Sequence, residues 1–431
     1  MSFIVEMNAR YFDGALSPSA LQLLAPLETE REEVQAFARR AFGQLHRQHV
    51  GARDFSDLTA WSLGSLVGLV LPGAWGGIVP PITVPGRQAV LDEYLVKNPW
   101  RPIADGDHLL DLGCGFPPVT TVDAAARFPN CQITGADPSF AKYLVREANG
   151  NYAAFDESGT LLYFQSGANN AVAWRGMFDD PAETRRRFTG YLEDLRGSLP
   201  KDDGSFARVE RDGLTLTRNP VMEYNRDNVT FRQLGIGSDG LSGYQIVRCL
   251  NVIFYFDDAF RERALDWLSG VVADGGLFLC GVTAPGAGCA RYAVYQAEGG
   301  RIVPREFAFS IGNIRPMELI ALFTLQEDDR DAHLMAHLIG ILRSDEAFRR
   351  DFDHRLDELL IEAGFEPRTA EGYLGRYTKT VDPQAFAAAL ETISKGLERD
   401  GFTERAAEVL SRNGYRSWVN CVGHIAVDPG T

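Results

Sequence analysis

Residues 105–139 read D-G-D-H-L-L-D-L-G-C-G-F-P-P-V-T-T-V-D-A-A-A-R-F-P-N-C-Q-I-T-G-A-D-P-S, and no other stretch narrows the fold as much. His108 to Leu112 is a brief apolar run, the signature of a short strand buried on both faces of a parallel sheet. Gly113-Cys114-Gly115 follows at once, and two glycines let the main chain turn tightly and let a ligand come close to it. Pro117 and Pro118 suit the opening of a helix, where a missing N–H costs nothing, and residues 119–128 have helix-forming composition. Residues 131–136 form a second short strand with Asp137 at its end. Strand, glycine turn, helix, strand and acid make one nucleotide-binding βαβ unit, with the acid where a pair of ribose hydroxyls would be gripped.

Two cofactor classes use such a unit. A dinucleotide fingerprint G-x-G-x-x-G would need its third glycine at position 118, and Pro118 stands there, which argues against a nicotinamide oxidoreductase. D-L-G-C-G followed by G-A-D-P-S instead resembles the motifs of class I S-adenosylmethionine-dependent methyltransferases. The resemblance implies that Asp111, Gly113, Cys114 and Gly115 line the methionine part of the cofactor. It likewise implies that Asp137, with Pro138 beside it, holds the ribose.

With 431 residues the chain can form two or three domains with a large core. Its net charge of −15 opposes binding to a phosphate backbone, so nucleic acid is not expected as a partner. The densest basic run, Arg185-Arg186-Arg187, reads as a solvated helix face. Six cysteines at 114, 131, 249, 280, 289 and 421 are scattered, with no C-x-x-C. Neither a zinc site nor a disulfide framework is indicated, no metal is expected, and a reducing cytoplasm is the expected location. The start M-S-F-I-V-E-M-N-A-R lacks the basic start and the long apolar core of a signal peptide.

Residues 1–100 are expected to form a mostly helical N-terminal cap. Residues 28–49 form an amphipathic helix with Val34, Phe37, Ala41, Phe42 and Leu45 on one side; His46 and His49 on it read as ordinary histidines rather than a metal pair. Residues 58–85 contain no charge, long enough to invite a membrane span. Pro72, Gly73, Gly76, Gly77, Pro80 and Pro81 would break such a helix, so a buried helix followed by a loop near the active site is the better parse and no span is expected.

Residues 101–282 read as the core. A helix is expected over 138–148, then an insertion over about 149–227 with hairpins at 152–165 and 206–217 and a helix at 181–199, before the third core strand at 228–234. Such an interval far exceeds an ordinary connection. The family resemblance implies an adenine contact shortly after that strand, where Gln233 or Asp239 is available. The next strong segment, G-Y-Q-I-V-R-C-L-N-V-I-F-Y-F over 243–256, is a buried central strand with Asp257 or Asp258 as the cap of the following helix. It resembles the fourth-strand motif C-R-N-V-L-I-Y-F of chemotaxis-receptor glutamate methyltransferases through Cys249, Asn251, Val252, Tyr255 and Phe256, with Leu250 in place of the arginine. The resemblance implies that this strand end faces the reacting methyl group, with Asn251 the first polar candidate there and Tyr255 the second. Tyr255 is equally well explained by core packing.

A fifth strand at 277–282 is followed by a second insertion or substrate lid at 283–354, with a hairpin around Glu298-Gly299-Gly300. His333 and His337 lie four apart on one helix face, but the glutamate of H-E-x-x-H is absent. Residues 355–431 are expected to complete the sheet, with an outer strand after Ala363-Gly364-Phe365 and a last antiparallel strand at 418–427 that carries His424. The expected architecture is thus α/β: a Rossmann-like, seven-stranded methyltransferase sheet with a helical N-terminal cap and two α+β insertions. The resemblance implies methyl transfer from S-adenosylmethionine to a small-molecule acceptor, in a chain that can form a homo-oligomer. The alternatives are a protein carboxylate or side-chain methyltransferase and a catalytically silent binding protein of the same fold. Tyr255, His424 and His333 are the nominal general bases.

Overall fold

A computed structural model describes residues 2–76, 79–168, 171–284, 289–377 and 383–430. The chain forms two compact units, a larger one of Met1–Ser65, Gly86–Asp107 and Asp239–Thr431, and a smaller one of Leu66–Pro85 and His108–Ser238. These units cut across the boundaries expected at residues 100, 282 and 354. In chain order the strands are β1 His108–Leu112, β2 Gln132–Ala136, β3 Tyr143–Arg146, β4 Tyr152–Phe155, β5 Leu161–Gln165, β6 Ala207–Arg211, β7 Leu214–Arg218, β8 Val229–Arg232, β9 Tyr244–Leu250, β10 Val272–Thr283, β11 Ala290–Glu298, β12 Arg301–Phe309, β13 Ser417–Val419 and β14 Ile425–Val427.

In the smaller unit, β1, β2 and β8 run parallel in that order, with His108 opposite Gln132 and Ile133 opposite Val229. Helix Val119–Arg127 makes the crossover from β1 to β2 and buries Thr120, Thr121, Ala124 and Ala125. Small side chains on that face let the helix axis come close to the strands. The expected helix over 138–148 is not formed. Tyr143, Leu144 and Val145 are all buried in β3, which pairs antiparallel with β4 on one side and β7 on the other. Two ladders and three consecutive buried side chains outweigh a weak local helical preference. The inserted sheet, ordered β5-β4-β3-β7-β6, therefore begins at Tyr143 rather than near residue 149. Both expected hairpins are present in it, as β4–β5 and β6–β7.

Helix Pro181–Arg196, capped by the Asp180 carboxylate on the Glu183 N–H, lays Phe188, Leu192 and Leu195 into the core of this sheet. The uncharged stretch contributes Trp75 to the same core, 4.8 Å from the Phe178 ring and 4.9 Å from that of Phe164, with its indole N–H given to the Leu69 carbonyl. Most of the described stretch is buried or half-buried in protein. Its helical part breaks into Asp57–Ser65 and Val67–Val70, and among the described residues no helix is long and apolar enough to cross a membrane. Gly77, one of the expected breakers, lies outside the described residues.

The larger unit holds a mixed sheet. β9 and β10 are parallel, and β11, β12, β14 and β13 continue it antiparallel. Helix Asp258–Val271 links β9 to β10 and is capped by Asp257, whose carboxylate accepts the Phe260 N–H. The ladder between β9 and β10 is irregular between Val272 and Leu277, around Asp274-Gly275-Gly276. The hairpin expected inside a separate 283–354 insertion instead extends this sheet as β11 and β12. Eight of the nine β11 residues from Ala290 to Glu298 are buried or half-buried, which is what an interior strand requires. Four strands thus follow β10, where a seven-stranded sheet would supply two. No outer strand follows Ala363-Gly364-Phe365 among the described residues, only an isolated bridge between Phe365 and Tyr377. The segment 418–427 folds back on itself as β13 and β14 around a turn in which the Asn420 side chain accepts the Val422 and His424 N–H groups.

The N-terminal helices belong to this unit. Glu32–Arg47 buries Val34, Phe37, Ala41, Phe42 and Leu45, the side expected from its pattern. Helix Ala89–Lys97 is joined to β9 by a buried ion pair, Asp92 to Arg248 at 2.6 Å. The β10–β11 contact is tight at Gly281, where an added Cβ would lie 2.2 Å from the Arg291 carbonyl oxygen and 2.6 Å from the Tyr292 Cα. Because those atoms are backbone, Gly281→Ala must push the ladder apart. The expected loss is about 1–3 kcal/mol or more, read as a lowered urea midpoint at unchanged slope.

Candidate functional site

The βαβ turn of the smaller unit is built around one carboxylate. Gly113 and Gly115 have φ of 71° and 66°, a left-handed conformation that glycine adopts without strain. This brings the Gly113 N–H onto the Ala136 carbonyl at 2.7 Å and the Gly115 N–H onto Asp137 Oδ2 at 3.0 Å. Asp137 Oδ1 accepts the Ser139 N–H at 2.8 Å and its hydroxyl at 2.6 Å. Asp137 is only 7% exposed, yet no cation pairs with it among the described residues. Each oxygen of an ionised carboxylate has about two acceptor positions, so Oδ2 keeps capacity for a further donor.

The other predicted cofactor residues of this unit take several roles. Asp111 is 2% exposed and accepts the Thr121 hydroxyl at 2.5 Å, which ties the crossover helix to β1. Cys114 turns its side chain inward. The place of a Cβ on Gly135 lies 3.2 Å from its sulfur, so a larger residue there would press on the thiol. Burial, then Asp137 and Asp111, push that thiol well above its ordinary range, so it stays protonated and serves packing. Pro138 is exposed, and Gln233, also exposed, donates to the Pro138 carbonyl at 3.3 Å. Asp239, the other adenine candidate, is an exposed bend residue of the larger unit.

The uncharged stretch covers the glycine turn. An added Cβ on Gly115 would come 2.8 Å from Pro81 and 3.5 Å from the Thr83 methyl. The Thr83 hydroxyl donates to the Pro117 carbonyl at 2.5 Å, and the Gln165 amide donates to the Pro81 carbonyl at 3.2 Å. Residues 79–85 are thus a strap on the turn. Ser139, Thr121, Thr83 and Gln165 were not anticipated from sequence. Only Ser139 had a local signal, because a serine two residues after an aspartate commonly turns back onto it. The other three reach the site through tertiary contacts.

In the larger unit, Asn251 follows β9 with φ of 61°, a conformation that asparagine tolerates better than most residues. Its N–H is given to the Gly281 carbonyl, its Oδ1 accepts the Thr283 N–H at 3.0 Å, and its Nδ2 donates to Thr283 Oγ1 at 3.1 Å. The side chain therefore pins the end of β9 to the end of β10. Tyr255 is half-buried, and its carbonyl accepts from the Gln326 amide. Burial pushes its phenol up to about 12, with Arg87 opposing, so it is neutral near pH 7 and can donate but not take up a proton.

His424 does not reach a cleft. It is 3% exposed, its Nδ1 lies 3.2 Å from the Tyr292 hydroxyl, and burial pulls it down to about 4. Tyr292, Asn420, Glu306 and Tyr94 form the buried network beside it, so this nominal base is enclosed by other side chains. His333 is lowered by burial and then by Arg47. His46 bonds to the Tyr11 carbonyl and His49 to Ser344, so neither shares a ligand with the other. Among the described residues no group of three His, Cys, Asp or Glu could hold a metal ion.

No protein-family model matches the sequence, and no curated protein matches it. Solved structures to which the chain has a loose likeness include PKMT2 from Rickettsia typhi in complex with AdoHcy, at 13% identity and a TM-score of 0.22, over 47% of this chain and 26% of that one. Human N-acetylserotonin methyltransferase in complex with SAM has 10% identity and a TM-score of 0.22, over 64% of this chain and 47% of that one. Geranyl diphosphate methyltransferase in complex with SAM has 14% identity and a TM-score of 0.21, over 45% and 48%. The chain spans less than two thirds of the length of each, and likenesses this loose assign no activity.

Proposed function

We propose that this chain is a methyltransferase that binds S-adenosylmethionine at the β1–β2 turn and methylates a small molecule. The observation that carries the reading is the Asp137 carboxylate, buried beside a left-handed glycine turn without a cation and with capacity left on Oδ2. That open acceptor suits a ribose hydroxyl, and the bare Gly113 and Gly115 backbone suits a ligand that must approach the main chain. When bound, the cofactor supplies an electrophilic methyl group on a sulfonium.

The protein's own part is alignment and exclusion of water. Asp137 would orient the ribose, and the Gly115 N–H in turn orients Asp137. The Asp111–Thr121 bond holds the crossover helix against β1. The strap at 79–85 shields the turn, with Pro81 and Thr83 against Gly115 and Pro117. Asn251 ties the end of β9 to the end of β10. Six free cysteines, five of them buried, suit a reducing compartment such as the cytoplasm.

The test is calorimetric titration of the purified protein with S-adenosylhomocysteine, with NAD as the control. Micromolar binding of S-adenosylhomocysteine alone is the expected result. Binding of NAD alone would transfer the site to the dinucleotide class, and binding of neither would leave the silent-fold reading.

A further inference from the structure

The glycine turn that the methyl-transfer reading needs open is closed within the smaller unit. Gly115 is buried, and so are Cys114, Phe116 and Asp137. A glycine at 115 leaves room beside the main chain, and Pro81 takes that room. A Cβ placed on Gly115 would stand 2.8 Å from the Pro81 Cβ, whereas carbon atoms in contact settle at about 3.5–4.0 Å. No heavy atom fits between the two, so a ligand that touches the Gly115 backbone on that side must displace Pro81.

The strap that carries Pro81 is built to be displaced. Residues 79–84 belong to no helix or strand, and all of them but Pro80 are half-buried. Among the bonds that hold them are those from the Thr83 hydroxyl to the Pro117 carbonyl at 2.5 Å and from the Gln165 amide to the Pro81 carbonyl at 3.2 Å. One neutral bond of this kind shifts an equilibrium only about two- to tenfold. Gly76 precedes the strap and Gly86 follows it, both with φ of 75° and with open space where a Cβ would stand. Small residues at the ends of a segment can absorb the main-chain rotation of a hinge. Pro80, Pro81 and Pro85 have φ fixed by their rings, which makes the segment between those glycines stiff.

We propose that residues 79–85 are an autoinhibitory strap. They fill the cofactor's seat on Gly115 in the free protein, and S-adenosylmethionine or S-adenosylhomocysteine binds by lifting them off. The inference rests on the cofactor reading above. Apparent affinity is then the affinity of the open site reduced by the fraction of molecules whose strap is raised. Weakening the closed strap therefore tightens binding, the reverse of what trimming a wall of a ligand site does.

Hydrogen–deuterium exchange of the wild-type chain, with and without saturating S-adenosylhomocysteine, reads the strap directly. The Ile82, Thr83 and Val84 amides should exchange faster with the ligand bound, while those of residues 113–115 slow. Thr83→Ala drops the bond to Pro117 and the methyl group that lies 3.5 Å from the Cβ place on Gly115. Calorimetry should show it binding S-adenosylhomocysteine about fivefold more tightly than the wild type. The proposal is overturned if exchange at residues 82–84 falls or stays the same at saturation, or if folded Thr83→Ala binds no more tightly than the wild type. In both cases the ligand has bound, so the cofactor reading stands without the strap. Binding to neither protein removes the reading and the strap together, and binding to Thr83→Ala alone supports both. The exchange measurement needs no variant, so it decides the question even if Thr83→Ala fails to fold.

Discussion

Asp137→Asn should bind S-adenosylhomocysteine about a hundredfold more weakly than the wild type. A hydroxyl bond to a charged acceptor is worth about 1.5–3 kcal/mol, and at the one position open on Oδ2 the upper end of that range corresponds to about two decades of affinity. The substitution is not silent for the fold. Asp137 Oδ2 holds the Gly115 N–H and Oδ1 holds Ser139, so an amide must turn its NH2 toward one backbone N–H. A cost of about 1–3 kcal/mol in stability is therefore expected with the loss of affinity. Ser139→Ala separates the two effects, because it removes the 2.6 Å hydroxyl bond and leaves the carboxylate in place. Its affinity should stay within about threefold of the wild type. A folded Asp137→Asn protein with undiminished affinity would remove Asp137 from the site.

Asp92→Ala should be the most destabilising of the substitutions considered. Arg248 is 1% exposed in the middle of β9, and its Nη1 lies 2.6 Å from Asp92 on helix Ala89–Lys97. Removing one partner of a buried ion pair leaves an uncompensated charge and costs about 3–5 kcal/mol. That is a large part of the stability of an ordinary domain, about 5–15 kcal/mol. Replacing both partners at once, Asp92→Leu with Arg248→Met, removes the stranded charge and should recover much of the loss. Urea unfolding of the single and double variants measures the difference. A double variant no more stable than Asp92→Ala would mean that the pair is not what joins the helix to the strand.

Gly281 and Asp92 show why the regions beyond β10 and before β1 were hard to read. Residues 290–309 are a hairpin by local pattern, and a hairpin reads the same whether it extends a sheet or stands apart. Its membership in the sheet follows from seven residue pairs between β10 and β11, and from a glycine at 281 that lets the two backbones approach. Helix Ala89–Lys97 likewise shows its amphipathic face in sequence, but nothing local tells Asp92 that its partner lies 156 residues onward. β3 is the converse case. Its composition fits a helix or a strand, and the two neighbouring strands decide it.

Sequence alone determined the elements whose signal is local. The β1–turn–helix–β2–Asp137 unit falls here, because glycine conformation, proline placement and a short apolar run each act within a few residues. So do the hairpins β4–β5 and β6–β7 and the buried face of helix Glu32–Arg47. Tertiary structure alone decided which polar groups face one another. It placed His424 in a buried network instead of a cleft, and it laid Pro81 and Thr83 on the glycine turn. It also brought Arg87, Thr283 and Glu318 together from three separate segments. The physical reason is range. Backbone preference acts between neighbours in the chain, whereas burial, ion pairing and proton affinity depend on neighbours in space.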